Sequence, residues 1–451
     1  MQYTDEPTWT THAVPASTPI STRSHDSDVL QLSLAVAAVT DLLDGGTVQP
    51  VFQPIVDLTS GCTVAYEALA RGPHGHRLES PDALFAAARA AGILDALDMT
   101  CLDAAAEAAR AGDLTAPWTL FVNIEPDSHS IGILPALAAT STSPVVVELT
   151  ERALTDDPAY VLGAVALIRQ AGWGVALDDV GVNPDSLALL PLIAPDVIKL
   201  DAALVQQPPD QHTARVFSAV AAEVERTGCL VVAEGIETSE HLHAARALGA
   251  HLGQGWLFNP PGRLPAAFTD PPHAPLPLRA LRPARCDLTP FGAAAQAREV
   301  HTAGKALLLA MSRHLERQAA AIGESCLVLT TFQTAAAFAP AQRRYSAPAR
   351  GNAYVAVFGS GIVDHPAPGV RGIDLDPEEP LSLEWNLVIV GPHFAAVLAA
   401  RSDGPATETD SPWDYVLSHD RDLTVRASTT LMNRISRAGD PGLPARMSRT
   451  T

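Results

Sequence analysis

Between residues 50 and 260, short apolar runs rich in β-branched residues alternate with alanine-rich amphipathic runs. A chain with that rhythm is confined to architectures built from repeated β and α units. Residues 118–124, 144–149, 173–177, 197–200 and 230–233 read as buried parallel strands. The helices between them carry their own signals. The run 158–170 places Val161, Val165 and Ile168 at helical spacing and stops before Gly172, and Ser80-Pro81 opens another helix that ends at Gly92. Repetition over this length fits a (β/α)8 barrel or an open doubly wound sheet.

The alternation stops where prolines accumulate, at Pro260, Pro261, Pro265, Pro271, Pro272, Pro275, Pro277 and Pro283. Proline at that density blocks helix interiors and central strands, so a linker is expected over 267–283. Beyond it the order changes: a long amphipathic helix over 293–321, strands over 326–332, 354–358 and 383–390, and a late helix over 424–434. The expected organisation is a tail (1–27), a barrel (28–266), the linker, a separate α+β domain (284–437) and a second tail (438–451), the last poor in large apolar groups. A length of 451 residues suits two domains, and 47% hydrophobic with 18% charged residues suits globular cores.

Charge narrows the partners. Fifty acidic against thirty basic residues give a net charge of −20 with no basic run, which repels a nucleic-acid backbone. No segment is apolar for the ~20 residues a membrane span needs, and no apolar signal core precedes residue 28. The cysteines Cys62, Cys101, Cys229, Cys286 and Cys326 are scattered and lack a Cys-x-x-Cys pair, which points to reduced thiols. A cytoplasmic protein is expected.

The acidic residues themselves are placed informatively. Glu67, Glu148, Asp178, Asp179 and Glu234 each close or directly follow a strand-like run, as do Asn123 and Lys199. In a parallel βα fold these ends converge on one face. Carboxylates crowded there repel one another unless a cation intervenes, and oxygen donors without His or Cys select Mg2+ or Mn2+. Adjacent aspartates can serve two ions. From the residues alone, metal-assisted hydrolysis and an enolase-like proton abstraction with lysine as base both remain open.

The local sequences carry a resemblance. Gln53-Pro54-Ile55-Val56-Asp57-Leu58, Glu67-Ala68-Leu69-Ala70-Arg71, Asn123, Glu148-Leu149-Thr150-Glu151, Asp178-Asp179, Lys199-Leu200-Asp201, Ala233-Glu234-Gly235-Ile236-Glu237-Thr238 and Gln254-Gly255-Trp256 follow one another as in the EAL phosphodiesterase family, which this segment resembles. The resemblance implies a modified TIM barrel that hydrolyses cyclic di-GMP to linear pGpG with Mg2+ or Mn2+. By position it implies Glu67, Asn123, Glu148, Asp178, Asp179 and Glu234 as metal ligands, Lys199 as the group orienting the water, and Glu234 as a base. Arg71 and Gln254 are implied substrate contacts, and Glu151 and Glu237 supports for loop and ligands. The run Val180-Gly181-Val182-Asn183-Pro184-Asp185-Ser186 departs from the family's loop, which couples metal binding to dimerisation through the barrel. A receptor or scaffold barrel without turnover is therefore the alternative. The C-terminal domain resembles the DICT sensory module, on 386–401 and 413–434 with His419-Asp420-Arg421. A regulatory input is implied.

Overall fold

The computed structural model describes residues 48–125, 142–151, 158–269, 271–272, 274–278, 289–346, 354–402 and 412–439, with a few residues between 37 and 45. The expected tail 1–27, the expected tail 438–451 beyond residue 439, and the linker's end lie outside the described residues; residues 438 and 439 instead end the last helix.

The first unit is a closed barrel in the order β1 (Gln49–Asp57), β2 (Thr63–Arg71), β3 (Thr119–Asn123), β4 (Val145–Thr150), β5 (Gly174–Val180), β6 (Val197–Leu200), β7 (Leu230–Ala233) and β8 (Leu252–Gly253). It is mixed: β1 runs antiparallel to both β2 and β8, and every other pairing is parallel. The turn after β1 explains the inversion. Asp57 Oδ1 accepts the N–H groups of Thr59 (3.0 Å) and Ser60 (2.7 Å), and Gly61 takes φ +76°, which closes a tight hairpin where a parallel neighbour would need a long crossover.

The barrel helices are α1 (Pro81–Ala91), α2 (Leu94–Ala111), α3 (Pro158–Gln170), α4 (Leu190–Ile193), α5 (Gln211–Thr227) and α6 (Ser239–Ala247), with a short helical turn over Ala202–Gln206. The α1 signals act as read: Ser80 accepts the Ala83 N–H, and Gly92 ends the helix at φ +68°. The proline-rich segment is more than a tether. Phe268 packs on Tyr66 and Trp118, and Leu276 and Leu278 pack under the apolar barrel interior.

The second unit is a seven-stranded mixed sheet in the order β12 (Arg371–Asp374), β11 (Tyr354–Ser360), β10 (Leu327–Thr334), β13 (Glu384–Val390), β14 (Ala395–Arg401), β15 (Trp413–Ser418) and β9 (His301–Ala303). Its helices include α7 (Pro290–Ala297), α8 (Lys305–Ile322) and α9 (Arg421–Gly439). The expected helix over 293–321 is broken, because 301–303 pairs with β15 and Gly304 starts α8 as its N-cap.

The two units also meet through apolar side chains. Leu423, Ala427, Leu431 and Met432 of α9 are buried in one continuous apolar cluster. That cluster holds Val388, Val390 and Val397 of the sheet, Val161, Val165 and Ile168 of α3, and Leu190 and Ile193 of α4. No helix among the described residues is long and apolar enough to cross a membrane.

Candidate active site

Side chains alternate along a strand, so interior-facing residues of a barrel recur every second position. One interior layer is apolar: Ile55, Ala65, Phe121, Val146, Ala176, Val197, Val232 and Leu252. Two residues further towards the mouth stand Glu67, Asn123, Glu148, Asp178, Lys199, Glu234 and Gln254. On β1, which runs the other way, Gln53 holds the matching place. The polar layer thus sits directly above an apolar floor and is built from every strand.

Lys199, 1% exposed, is the hub of that layer. Its Nζ lies 2.7 Å from Glu234 Oε1, 2.9 Å from Glu148 Oε1, 3.1 Å from Asp178 Oδ1 and 3.3 Å from Glu67 Oε2. Glu67 also accepts from Asn123 Nδ2 (3.0 Å) and Gln254 Nε2 (2.6 Å), and Gln254 Nε2 reaches Gln53 Oε1 at 3.2 Å. Gln53 is a member of the layer that the strand-end pattern does not include. Alternation along β1, read in reverse, would have found it.

The electrostatics follow from burial and mutual charge. Burial alone would push the Lys199 ammonium down, but Asp178, Glu148, Glu234 and Glu67 hold it well above the ordinary lysine range. Burial works to raise Glu67 too. There Lys199 and the bonds from Gln254 and Asn123 win, and its carboxyl stays below the usual range. Burial and the charges of Glu67 and Asp178 hold Glu148 well above it. Burial, opposed by Lys199 but aided by Asp178 and Glu67, lifts Glu234 to about 8. Asp179 is lifted to about 6 by burial and its neighbour Asp178.

Two consecutive strand residues ordinarily face opposite ways, yet carboxylate oxygens of Asp178, Asp179 and Glu234 lie within 4.8 Å of one another. The cause is local. Pairing of β5 with β6 slips between Leu177 and Val180, and Asp179 takes φ +57°, a left-handed conformation that side chains rarely adopt. The donors fit a hard divalent cation such as Mg2+ or Mn2+. All are oxygens, negative charge exceeds what Lys199 balances, and the buried Glu148 Oε2 and Gln254 Oε1 accept no hydrogen bond from the protein.

Of the remaining expected residues, Arg71 ends β2 half-buried, its Nη1 donating to the Ala70 carbonyl (2.8 Å). Glu151, 1% exposed, grips the loop after β5. It accepts the N–H groups of Gly181 (3.4 Å), Val182 (3.0 Å) and Asn183 (2.9 Å) and the Ser186 hydroxyl. His212 Nε2 lies 2.6 Å from the Gly181 carbonyl on the loop's other side. Glu237 is not brought to the cluster. It is exposed, after the chain turns at Gly235 (φ +64°), and its backbone N–H donates to His241 Nδ1 (3.3 Å).

Residues 36–261 match the family described as "EAL domain", and the chain belongs to that family. Residues 291–403 match "Sensory domain in DIguanylate Cyclases and Two-component system", so an EAL domain is followed by a DICT domain. Among relatives, the cyclic di-GMP phosphodiesterase RocR of Pseudomonas aeruginosa is 30% identical over 237 residues, 50% of this chain and 60% of RocR. The probable cyclic di-GMP phosphodiesterase PdeB of Escherichia coli is 31% identical over 221 residues, 46% of this chain and 41% of PdeB. A manganese and cyclic-di-GMP complex of Klebsiella pneumoniae BlrP1 aligns at 31% identity with TM-score 0.42, over 48% of this chain and 56% of that one. The chain spans less than two thirds of these relatives' own length, and 30% of two others, from Azorhizobium caulinodans and Sinorhizobium fredii.

Proposed function

We propose that this chain hydrolyses one phosphodiester bond of cyclic di-GMP to give linear pGpG, with Mg2+ or Mn2+ held by Glu67, Asn123, Glu148, Asp178, Asp179 and Glu234. The observation that carries the reading is the complete polar layer around Lys199, since a receptor needs no buried ammonium touching four carboxylates. The names of the relatives support the substrate.

Divalent cations, when held by these oxygens, supply the positive charge that a phosphodiester and an attacking water require. The chain's own groups do the rest. Arg71, at the mouth, pairs a phosphate oxygen, and Gln254 holds the substrate beside Glu67. Lys199 fixes the attacking water through a hydrogen bond, and Glu234, 2.7 Å from that ammonium, takes the water's proton. The water oxygen bonds to phosphorus, the bond from phosphorus to one ribose oxygen breaks, and that oxygen leaves as a hydroxyl after taking a proton from solvent. The C-terminal domain regulates this site.

Incubating the full chain with cyclic di-GMP and Mg2+ or Mn2+, then separating the nucleotides, tests the proposal. Appearance of pGpG, lost on chelation and in Glu67→Ala, is expected. Tight binding of the dinucleotide with no pGpG would make the barrel a receptor.

A further inference from the structure

The paired aspartates begin an excursion of the chain that ends before β6. It runs from Asp178 and Asp179 through the Glu151-held turn, a 3-10 turn over Pro184–Ala188 and α4. Its near end is fixed by Glu151 and His212. Its far end is fixed by two arginines that serve carbonyls at the termini of α4. Arg169 of α3 donates to Ile193 O (3.1 Å) and Ala194 O (2.6 Å), and Arg226 of α5 donates to Pro191 O (3.1 Å).

Arg226 does more than Arg169. Its Nε and Nη2 clasp Glu223, 1% exposed, at 2.9 and 2.6 Å, and its Nη1 reaches across to Asp422 Oδ1 of α9 at 3.2 Å. One planar fork therefore joins a barrel helix, the end of the excursion and the first turn of the last helix. α9 packs on α3 and α4 and lies beyond the residues matched to the sensory-domain family. Between Arg226 and the aspartates the segment is tightly packed: Leu187, Ala188, Leu189, Leu190 and Ile193 are all buried. Close-packed interiors transmit a displacement instead of absorbing it.

We propose that Arg226 is a positioning residue for Asp178 and Asp179, acting through residues 180–193, and that its bond to Asp422 makes α9 the element by which the C-terminal domain sets their position. The catalytic consequence rests on the function proposed above. The joint itself does not, and the two are tested by different readouts.

Hydrogen exchange and Mn2+ titration of the full chain test it, with Arg226→Lys and Asp422→Asn. Lysine keeps the charge beside Glu223 but cannot hold Pro191 O and Asp422 at once. Exchange in 180–193 should accelerate at least tenfold in R226K, with 119–123 and 145–150 unchanged, and Mn2+ should bind at least threefold more weakly. D422N, altered at an exposed side chain, should shift both in the same direction by about twofold. Unchanged exchange and Mn2+ affinity in folded R226K overturn the proposal. If R226K does not fold, D422N decides: exchange in 180–193 equal to the parent chain overturns it. Absence of pGpG with the exchange response intact refutes the hydrolase reading and leaves the joint standing.

Discussion

Cation binding at the polar layer should be coupled to proton release: burial and the charges of Glu67 and Asp178 keep a proton on Glu148, and Glu234 and Asp179 set how the release varies near neutral pH. Without a cation, Glu234 titrates at about 8 and Asp179 at about 6. A carboxyl with a raised pKa keeps its proton to higher pH, so at pH 7 Glu234 is protonated about ten to one while Asp179 is mostly ionised. A cation bound by the ionised oxygens must expel that proton. Affinity for Mn2+ should therefore rise by no less than about tenfold per pH unit from 6 to 8, roughly 1.4 kcal/mol for each proton expelled. It should become less steep above 8, once Glu234 has lost its proton, and steepen below 6, where Asp179 also holds one. Calorimetric titration of the full chain in buffers of different ionisation enthalpy counts the protons directly. At least one proton released per binding event at pH 7, and about one fewer in Glu234→Gln, is the expected result. Affinity independent of pH from 6 to 8 would refute the reasoning, because the burial assigned to Glu234 would then not govern its proton.

Lys199→Met should destabilise the cation-free chain by about 3–5 kcal/mol, the usual cost of breaking a buried ion network. Mn2+ should raise its melting midpoint more than it raises the parent's, because the cation takes over the charge balance. Glu151→Ala strips the loop after β5 of its acceptor and should weaken Mn2+ binding about tenfold without unfolding the barrel, which titration and circular dichroism check together. A chain ending after residue 266 should be less stable to urea than one ending after 278 by about 2–4 kcal/mol, from the partial burial of Phe268, Leu276 and Leu278.

Much of the site was legible because one rule, alternation of side chains along strands, places both the floor and the polar layer. Val146 predicts the facing of Glu148, Val197 that of Lys199 and Val232 that of Glu234. The rule fails where the backbone stops being a regular strand. Asp179 reaches its neighbour's side only through the slip in β5 pairing and a left-handed residue, neither of which the letters Asp-Asp announce. Glu237 follows the turn at Gly235, after which alternation no longer applies. Gln53 was hidden because β1 is reversed, although the Asp57 turn that reverses it is itself readable.

The shared core was not legible, for a different reason. Each apolar face of α9 is an ordinary amphipathic pattern, and nothing in such a pattern names the surface it will meet. The proline-rich stretch suggested separation, yet its leucines close the bottom of the barrel and α9 closes the side. This changes what regulation can be. A sensor on a loose tether acts through proximity or assembly. On the regulation proposed above, a C-terminal domain whose last helix is buried between its own sheet and α3 would act through which packing arrangement its ligand prefers. Detaching α9 would expose Leu423, Leu431 and Met432 at about 1.5–3 kcal/mol each, so the economical motion is a small slide against α3 and α4. Because α4 closes the excursion that begins at Asp178 and Asp179, a slide of that kind bears on the spacing of the paired carboxylates.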